Sequence, residues 1–317
     1  MKTIADIDPN VLAAFRKGTV IPAQPLALDE NRCFMPRNQR ALCRYYIDAG
    51  VGGIAVGVHS TQFEIRKKEI GLFEPVLQQT SRFIDEWCER RGRKILKVGG
   101  ICGKTEQALY EAEFEAANGY DAGLLSLSAF AGSGVDEMLE HCKAVAKIMP
   151  VIGFYLQPSV GGRILPFDFW KQFTEIENVI GIKMAPFNRY CTIDVIRAVA
   201  ESGKNITLYT GNDDNIVVDL LTDYDFNGVK QQVKGGLLGH WCCWSMVILA
   251  MCRPATAIWA TLMPEPNLLS NARPCRGQVA TKVGMELFTG RRNIRITAIT
   301  ICTSAAVCMI PALCQLR

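Results

Sequence analysis

Eight short runs of the chain are apolar at nearly every position. They read "GTVIPAQ" (18–24), "GGIAVGV" (52–58), "KILKVGGI" (94–101), "DAGLLSL" (121–127), "PVIGFYL" (150–156), "NVIGIKM" (178–184), "NITLYTG" (205–211) and "VKGGLLG" (233–239). Runs this short, rich in β-branched residues and with no polar alternation, predict strands covered on both faces. Between them the period lengthens. "RNQRALCRYYIDAG" repeats its apolar residues every three or four positions and stops at Gly50. "KTEQALYEAEFEAANG" starts at Thr105 and closes with Asn118-Gly119, and "GVDEMLEHCKAVAKIM" runs from near Asp136 to Pro150. "CTIDVIRAVAESG" opens with a threonine cap and ends at Gly203. These are helices with recognisable start and stop residues.

Strands alternating with helices predict an α/β fold with a parallel sheet. Eight is the strand number that closes a (β/α)8 TIM barrel. An open doubly wound sheet is the rival, but its first strand normally leads into a glycine-rich phosphate loop. Here the first strand runs into "PAQPLALDENR".

Composition changes the picture at one place. The 317 residues carry a formal charge of +4, too small to suggest nucleic acid, and no basic cluster is interleaved with aromatics. Residues 1–241 hold 27 basic and 29 acidic side chains, net −2, whereas residues 242–317 hold 8 and 2, net +6. Seven of the 13 cysteines also fall after Trp241. The chain therefore divides into a barrel domain, 1–241, and an atypical C-terminal extension, 242–317. The opening "MKTIADIDPN" lacks the apolar core of a signal peptide. An odd number of cysteines at irregular spacing reads as free thiols in a reducing compartment, which predicts a cytoplasmic protein. Residues Ile296 to Leu316 are uncharged and long enough to span a bilayer, yet Thr, Ser and Pro311 keep their hydropathy modest, so a membrane-associated reading is disfavoured.

Candidate chemistry is sought where a (β/α)8 barrel keeps its active site, at the C-terminal ends of the strands. Those ends offer His59, Ser60, Thr61 and Glu64 after strand two, and Tyr155 on strand five. Lys183 closes strand six, Gly211, Asn212 and Asp213 follow strand seven, and His240 follows strand eight. A lysine at an apolar barrel mouth loses its charge easily and becomes a nucleophile toward carbonyl carbon. A phenol within reach could relay protons, and a Ser or Thr hydroxyl could hold a carboxylate. Lys183, Tyr155 and the Ser60-Thr61 pair thus suit imine chemistry on a 2-oxo acid, which needs no metal and no cofactor. Taken singly, each has a blander reading. A strand-end lysine can snorkel to solvent, Tyr155 can be a core aromatic, His59 and His240 can be structural, and Asp213 can cap a helix.

The stretches together resemble the dihydrodipicolinate synthase/N-acetylneuraminate lyase family of class I aldolases, from about Thr19 to Trp241. "GVGGIAVGVHSTQFE" resembles the family's "GxxGxxxxGTTGE". "PVIGFYLQPSVGG" is similar to its "P-x-x-x-Y-N-x-P" strand with Tyr155 and Pro158 in place, "NVIGIKMAPFN" to the "GIK" strand of the Schiff-base lysine, and "LYTGNDD" to "xSGDD". The resemblance implies a tetrameric barrel acting on pyruvate, another 2-oxo acid or a sugar acid. It implies that Lys183 forms the imine, Tyr155 relays protons, and Ser60 with Thr61, or His59 with Ser60, holds the substrate carboxylate near Gly211. Carbon–carbon cleavage or formation is the first reading; dehydration of a sugar acid and an inactive barrel used as a binding scaffold are the alternatives.

Two departures stand out. Val160 occupies the position of the arginine by which the synthases grip a second carboxylate, and "LSLSAFAGSG" lacks their intersubunit tyrosine. Lysine biosynthesis is accordingly disfavoured. After Trp241 the resemblance stops abruptly at "CCWSMVILAMCRPATAIW". With the cysteine and charge shifts, this suggests an extension that is disordered or read in a shifted frame.

Overall fold

The structure, a computed structural model, describes residues 1–239, 283–289 and 292–298. The chain divides into two compact units, Met1–Met263 and Pro264–Arg317. In the first, the strands are β1 (Val20–Ala23), β2 (Gly53–Val56), β3 (Leu96–Ile101), β4 (Ala122–Ser126), β5 (Val151–Leu156), β6 (Val179–Ala185), β7 (Thr207–Thr210), the short β8 (Tyr224–Phe226) and β9 (Val229–Gln231), and β10 (Gly235–Gly239). Eight of them form a closed parallel barrel in the order β1-β10-β7-β6-β5-β4-β3-β2. These eight coincide with the eight apolar runs, and the fold is the (β/α)8 barrel. In the second unit, β11 (Val283–Thr289) and β12 (Arg292–Ala298) pair as an antiparallel hairpin. Trp241, His240, the rest of the C-terminal extension and the uncharged segment beyond Ala298 lie outside the described residues.

Closure sorts the strand residues into two buried groups. Ile21, Ala55, Val98, Leu124, Ile152 and Leu237 belong to the interior cluster, while alternate residues such as Val151, Tyr155, Ile182 and Met184 pack outward with the helices. Helices α2 (Pro36–Asp48), α3 (Phe73–Arg90), α4 (Thr105–Ala117), α5 (Val135–Ala146), α6 (Phe167–Phe173), α7 (Arg189–Ser202) and α8 (Ile216–Leu221) form the outer layer with α1 (Pro9–Lys17) set apart from it. Four of these were legible as periodic stretches. The cap expected at Thr192 is instead Asn188, whose side chain accepts from the N–H groups of Tyr190 and Cys191 at 3.0 and 3.2 Å. Thr192 lies inside the helix and is buried.

Two elements depart from simple strand–helix alternation. Helix α1, capped by Asp8 with Pro9 in its first turn, closes one end of the barrel. Its Ile7-Val11-Phe15 side joins the interior cluster, and Phe15 stacks on Tyr209 with ring centroids 4.7 Å apart. Tyr209 donates its hydroxyl to the Phe15 carbonyl at 2.8 Å. Between β7 and β10 the crossover is six residues of α8 and then the β8–β9 hairpin. Asn227 and Gly228, both at positive φ, make its turn, the backbone that an Asn-Gly pair adopts with least strain.

The plug generates a stability prediction. Phe15 is 1 % exposed, so Phe15→Ala should destabilise the protein by about 3–5 kcal/mol. Denaturant unfolding checks this; a loss under about 1 kcal/mol means α1 does not hold the barrel closed.

Candidate active site

The strands deliver a cleft of about 390 Å³ at their C-terminal ends. Lys183 lies on its wall at 7 % exposure. On β6 it is the cross-strand neighbour of Phe154 on one side and of Tyr209 on the other, so all three point into the barrel. The amine Nζ stands 4.3 Å from the centre of the Phe154 ring. Among the described residues it makes no hydrogen bond and no ion pair. Burial lowers its pKa to about 8, while Asp213 pulls in the opposite direction. Gly211 leaves room for this side chain: a Cβ there would stand 2.7 Å from Lys183 Cε. The snorkelling alternative is excluded by this burial.

Tyr155 is not part of the cleft. It follows Phe154 on β5, so the two-residue period of a strand turns it to the other face. There it packs on Trp170 of α6, with ring centroids 5.2 Å apart. Its hydroxyl accepts from the Leu165 N–H at 3.0 Å and donates to the Leu165 carbonyl at 3.3 Å. Burial pushes the phenol up, and a hydrogen bond with Cys191 adds to this. The ring beside the amine is that of Phe154, which has no hydroxyl. The expected phenol–lysine pair is therefore corrected. Tyr209 supplies no substitute, because its hydroxyl is committed to Phe15 at the plugged end.

The remaining candidates separate as well. His59 and Ser60 line the cleft from a single helical turn, His59–Thr61, with the His59 ring 5.7 Å from that of Phe63. Thr61 is fully buried and donates to the Gln24 carbonyl at 2.6 Å, so it offers the cleft no hydroxyl. Of the two pairings left open, His59-Ser60 is the one that faces the cleft. This loop is tied down by Arg66, which bonds Glu111 at 2.8 Å and the carbonyls of Gly57, at 2.9 Å, and Gly100. Gly211 and Asp213 line the opposite side; α8 starts at Ile216, so Asp213 does not cap it. Glu64 is absent from the lining, and His240 lies outside the described residues. Sequence reasoning missed Phe154, Phe187 and Gln62. The "GFY" triplet carried the signal for the first, since only one of two adjacent aromatics can face inward. Among the described residues no group of three His, Cys, Asp or Glu side chains is placed to hold a metal ion, and no helix is long and apolar enough to cross a membrane.

Fold and site together define a (β/α)8 barrel with a buried lysine at its mouth. The dihydrodipicolinate synthetase family model matches residues 19–229, and the chain belongs to that family. No curated protein matches it. Solved structures share the fold at low identity. CdNal from Clostridium difficile, in complex with mannosamine, is 16% identical with a TM-score of 0.60 over 74% of this chain and 76% of that one. Dihydrodipicolinate synthase from Bacillus anthracis is 18% identical with a TM-score of 0.58 over 74% and 76%. A catalytic lysine mutant of the Ruminococcus gnavus sialic acid aldolase is 16% identical with a TM-score of 0.59 over 75% and 72%.

Two predictions follow from this geometry. Tyr155→Phe should cost about 1 kcal/mol, because the Leu165 peptide groups lose a buried partner, and should leave the titration of the Lys183 amine near pH 8. Denaturant unfolding and pH-dependent amine labelling check the two halves. Lys183→Met should stabilise the fold at pH 7. The folded amine titrates near 8 and the unfolded near 10.5, so the cost of burying the charge is complete below pH 8. It shrinks between 8 and 10.5 and vanishes above. The gain at pH 7 is at most about 3 kcal/mol; unfolding of both proteins at pH 7 and 10.5 should show it disappear.

Proposed function

We propose that this protein is a class I lyase that forms a Schiff base between Lys183 and a 2-oxo acid. The observation that carries the reading is the buried Lys183 amine, titrating near 8 with no ion-pair partner among the described residues. About a tenth of it is neutral near pH 7, far more than of an ordinary lysine, and that lone pair is free to attack the C2 carbonyl. A proton passes from nitrogen to oxygen, a second proton drawn from water lets the hydroxyl leave as water, and the protonated imine remains. That cation then accepts the electron pair released when the C3–C4 bond breaks, giving an enamine; in the forming direction the imine loses a C3 proton and the enamine attacks the acceptor carbonyl. Family membership supports the reaction class, and the Ruminococcus gnavus sialic acid aldolase has a catalytic lysine.

The proton relay differs from the one expected. With Phe154 beside the amine and Tyr155 outside, protons pass through water, aided by Asp213 and His59, the other ionisable side chains of the lining. Ser60 and His59 hold the substrate carboxylate. No cofactor enters this chemistry, the partner is the small-molecule acid, and the family resemblance supports a homotetramer in the cytoplasm.

A second reading has a specific observation behind it. The missing phenol at Lys183 also suits a barrel that has given up catalysis and serves as a binding scaffold. Pyruvate with borohydride separates the two. The lyase reading expects reduced pyruvate covalently attached to the peptide containing Lys183, and no adduct in Lys183→Ala. Intact protein that gains no mass at that peptide overturns the imine and leaves the scaffold.

A further inference from the structure

We infer that the cleft selects a 2-oxo acid whose distal part is uncharged and apolar, and that Phe187 sets this choice. The inference rests on the imine reading above.

Charge in the lining comes first. Among the described residues its ionisable side chains are His59, Lys183 and Asp213. Lys183 is consumed by the imine, and Asp213 repels an anion. No arginine lines it among the described residues. Arg163, in the loop after β5, donates from Nη1 to the carbonyls of Phe130 and Ser133, each at 2.7 Å, and so is committed elsewhere. A substrate with a second carboxylate would leave that group desolvated and unpaired, an expensive arrangement. Leu156 and Val160, Phe187 and Leu238 supply apolar walls from three different strands and their loops. A polyhydroxylated chain lying against them would lose hydration without recovering its hydrogen bonds. Of the two glutamines in the lining, Gln157 already accepts from Ser159 at 2.7 Å.

Backbone strain comes second, independently of charge. Phe187 has φ +52°, in the left-handed region that bulky side chains avoid. Its N–H donates to Asn212 Oδ1 at 3.0 Å. Asn212 is buried and donates from Nδ2 to Thr192 Oγ1 at 3.1 Å and to Asp219 Oδ2 at 2.9 Å. Thr210 donates to the same Asp219 oxygen at 2.7 Å. Four buried polar residues thus hold one strained aromatic, whose ring packs on the interior cluster and lines the cleft. A turn alone would be met by glycine without strain. What the phenylalanine adds is the ring, and strain sustained in this way marks a functional position.

The test is borohydride trapping of the full chain with pyruvate, 4-methyl-2-oxopentanoate, 2-oxoglutarate and 2-oxogluconate, read as the concentration giving half-maximal adduct at Lys183. The branched acid should half-saturate at a concentration at least about tenfold below both 2-oxoglutarate and 2-oxogluconate. Phe187→Gly, which suits the left-handed backbone, should lose most of that preference. Val160→Arg should lower the 2-oxoglutarate concentration by about tenfold. Equal or tighter trapping of 2-oxoglutarate or 2-oxogluconate by the parent protein overturns the inference and leaves the imine standing. A Phe187→Gly protein that keeps the full preference removes Phe187 from it. Failure of all four acids to trap overturns the imine and the inference together.

Discussion

The proposed chemistry depends on keeping one amine largely away from water. A charge at the barrel mouth is stable only if solvent or a counter-ion reaches it. Lys183 is 7 % exposed and makes no ion pair among the described residues; it sits against the face of Phe154 and the gap left by Gly211. The aromatic face softens the burial without neutralising it. The neutral amine gains accordingly, and Asp213 limits the shift without abolishing it. The fold bears this cost as lost stability near neutral pH, a common feature of sites arranged for reactivity.

Barrel closure is what makes that environment possible. A lysine on an open sheet would find solvent on one face. Here the strands curl round an interior already filled from the far end by α1, with Phe15 stacked on Tyr209. That plug leaves the C-terminal ends of the strands open, where Arg66 and Asn212 pin the loops that complete the cleft. Rigidity is supplied below the site and shape above it. The loops vary the chemistry while the sheet holds it in place.

The placement of the aromatic pair on β5 separates this site from the arrangement its resemblance implied. Phe154 and Tyr155 are adjacent, and a strand sends neighbours to opposite faces. The register with β6, Phe154 opposite Lys183 and Tyr155 opposite Met184, decides which of them meets the amine. A hydroxyl is thereby exchanged for a bare ring in the cleft, and the phenol becomes a structural brace for Leu165. The phase of the strand keeps the motif's letters while placing the phenol on the face away from the amine.

The sequence by itself determined the eight strands, because runs covered on both faces need apolar side chains at every position. It also determined the approximate extent of four helices, since apolar periods and glycine stops are local. Lys183 was legible as a candidate because a lone cation ends an apolar run, although a snorkelling lysine gives the same pattern. Tertiary structure alone decided the rest. Thr61 and Ser60 are chemically alike, but one bonds the Gln24 carbonyl and the other faces the cleft. Strand phase turned Tyr155 outward, and a network spanning β7, α7 and α8 bent Phe187 into the site. Such choices rest on contacts between residues far apart in the chain, and a periodicity of two or of 3.6 carries no record of them.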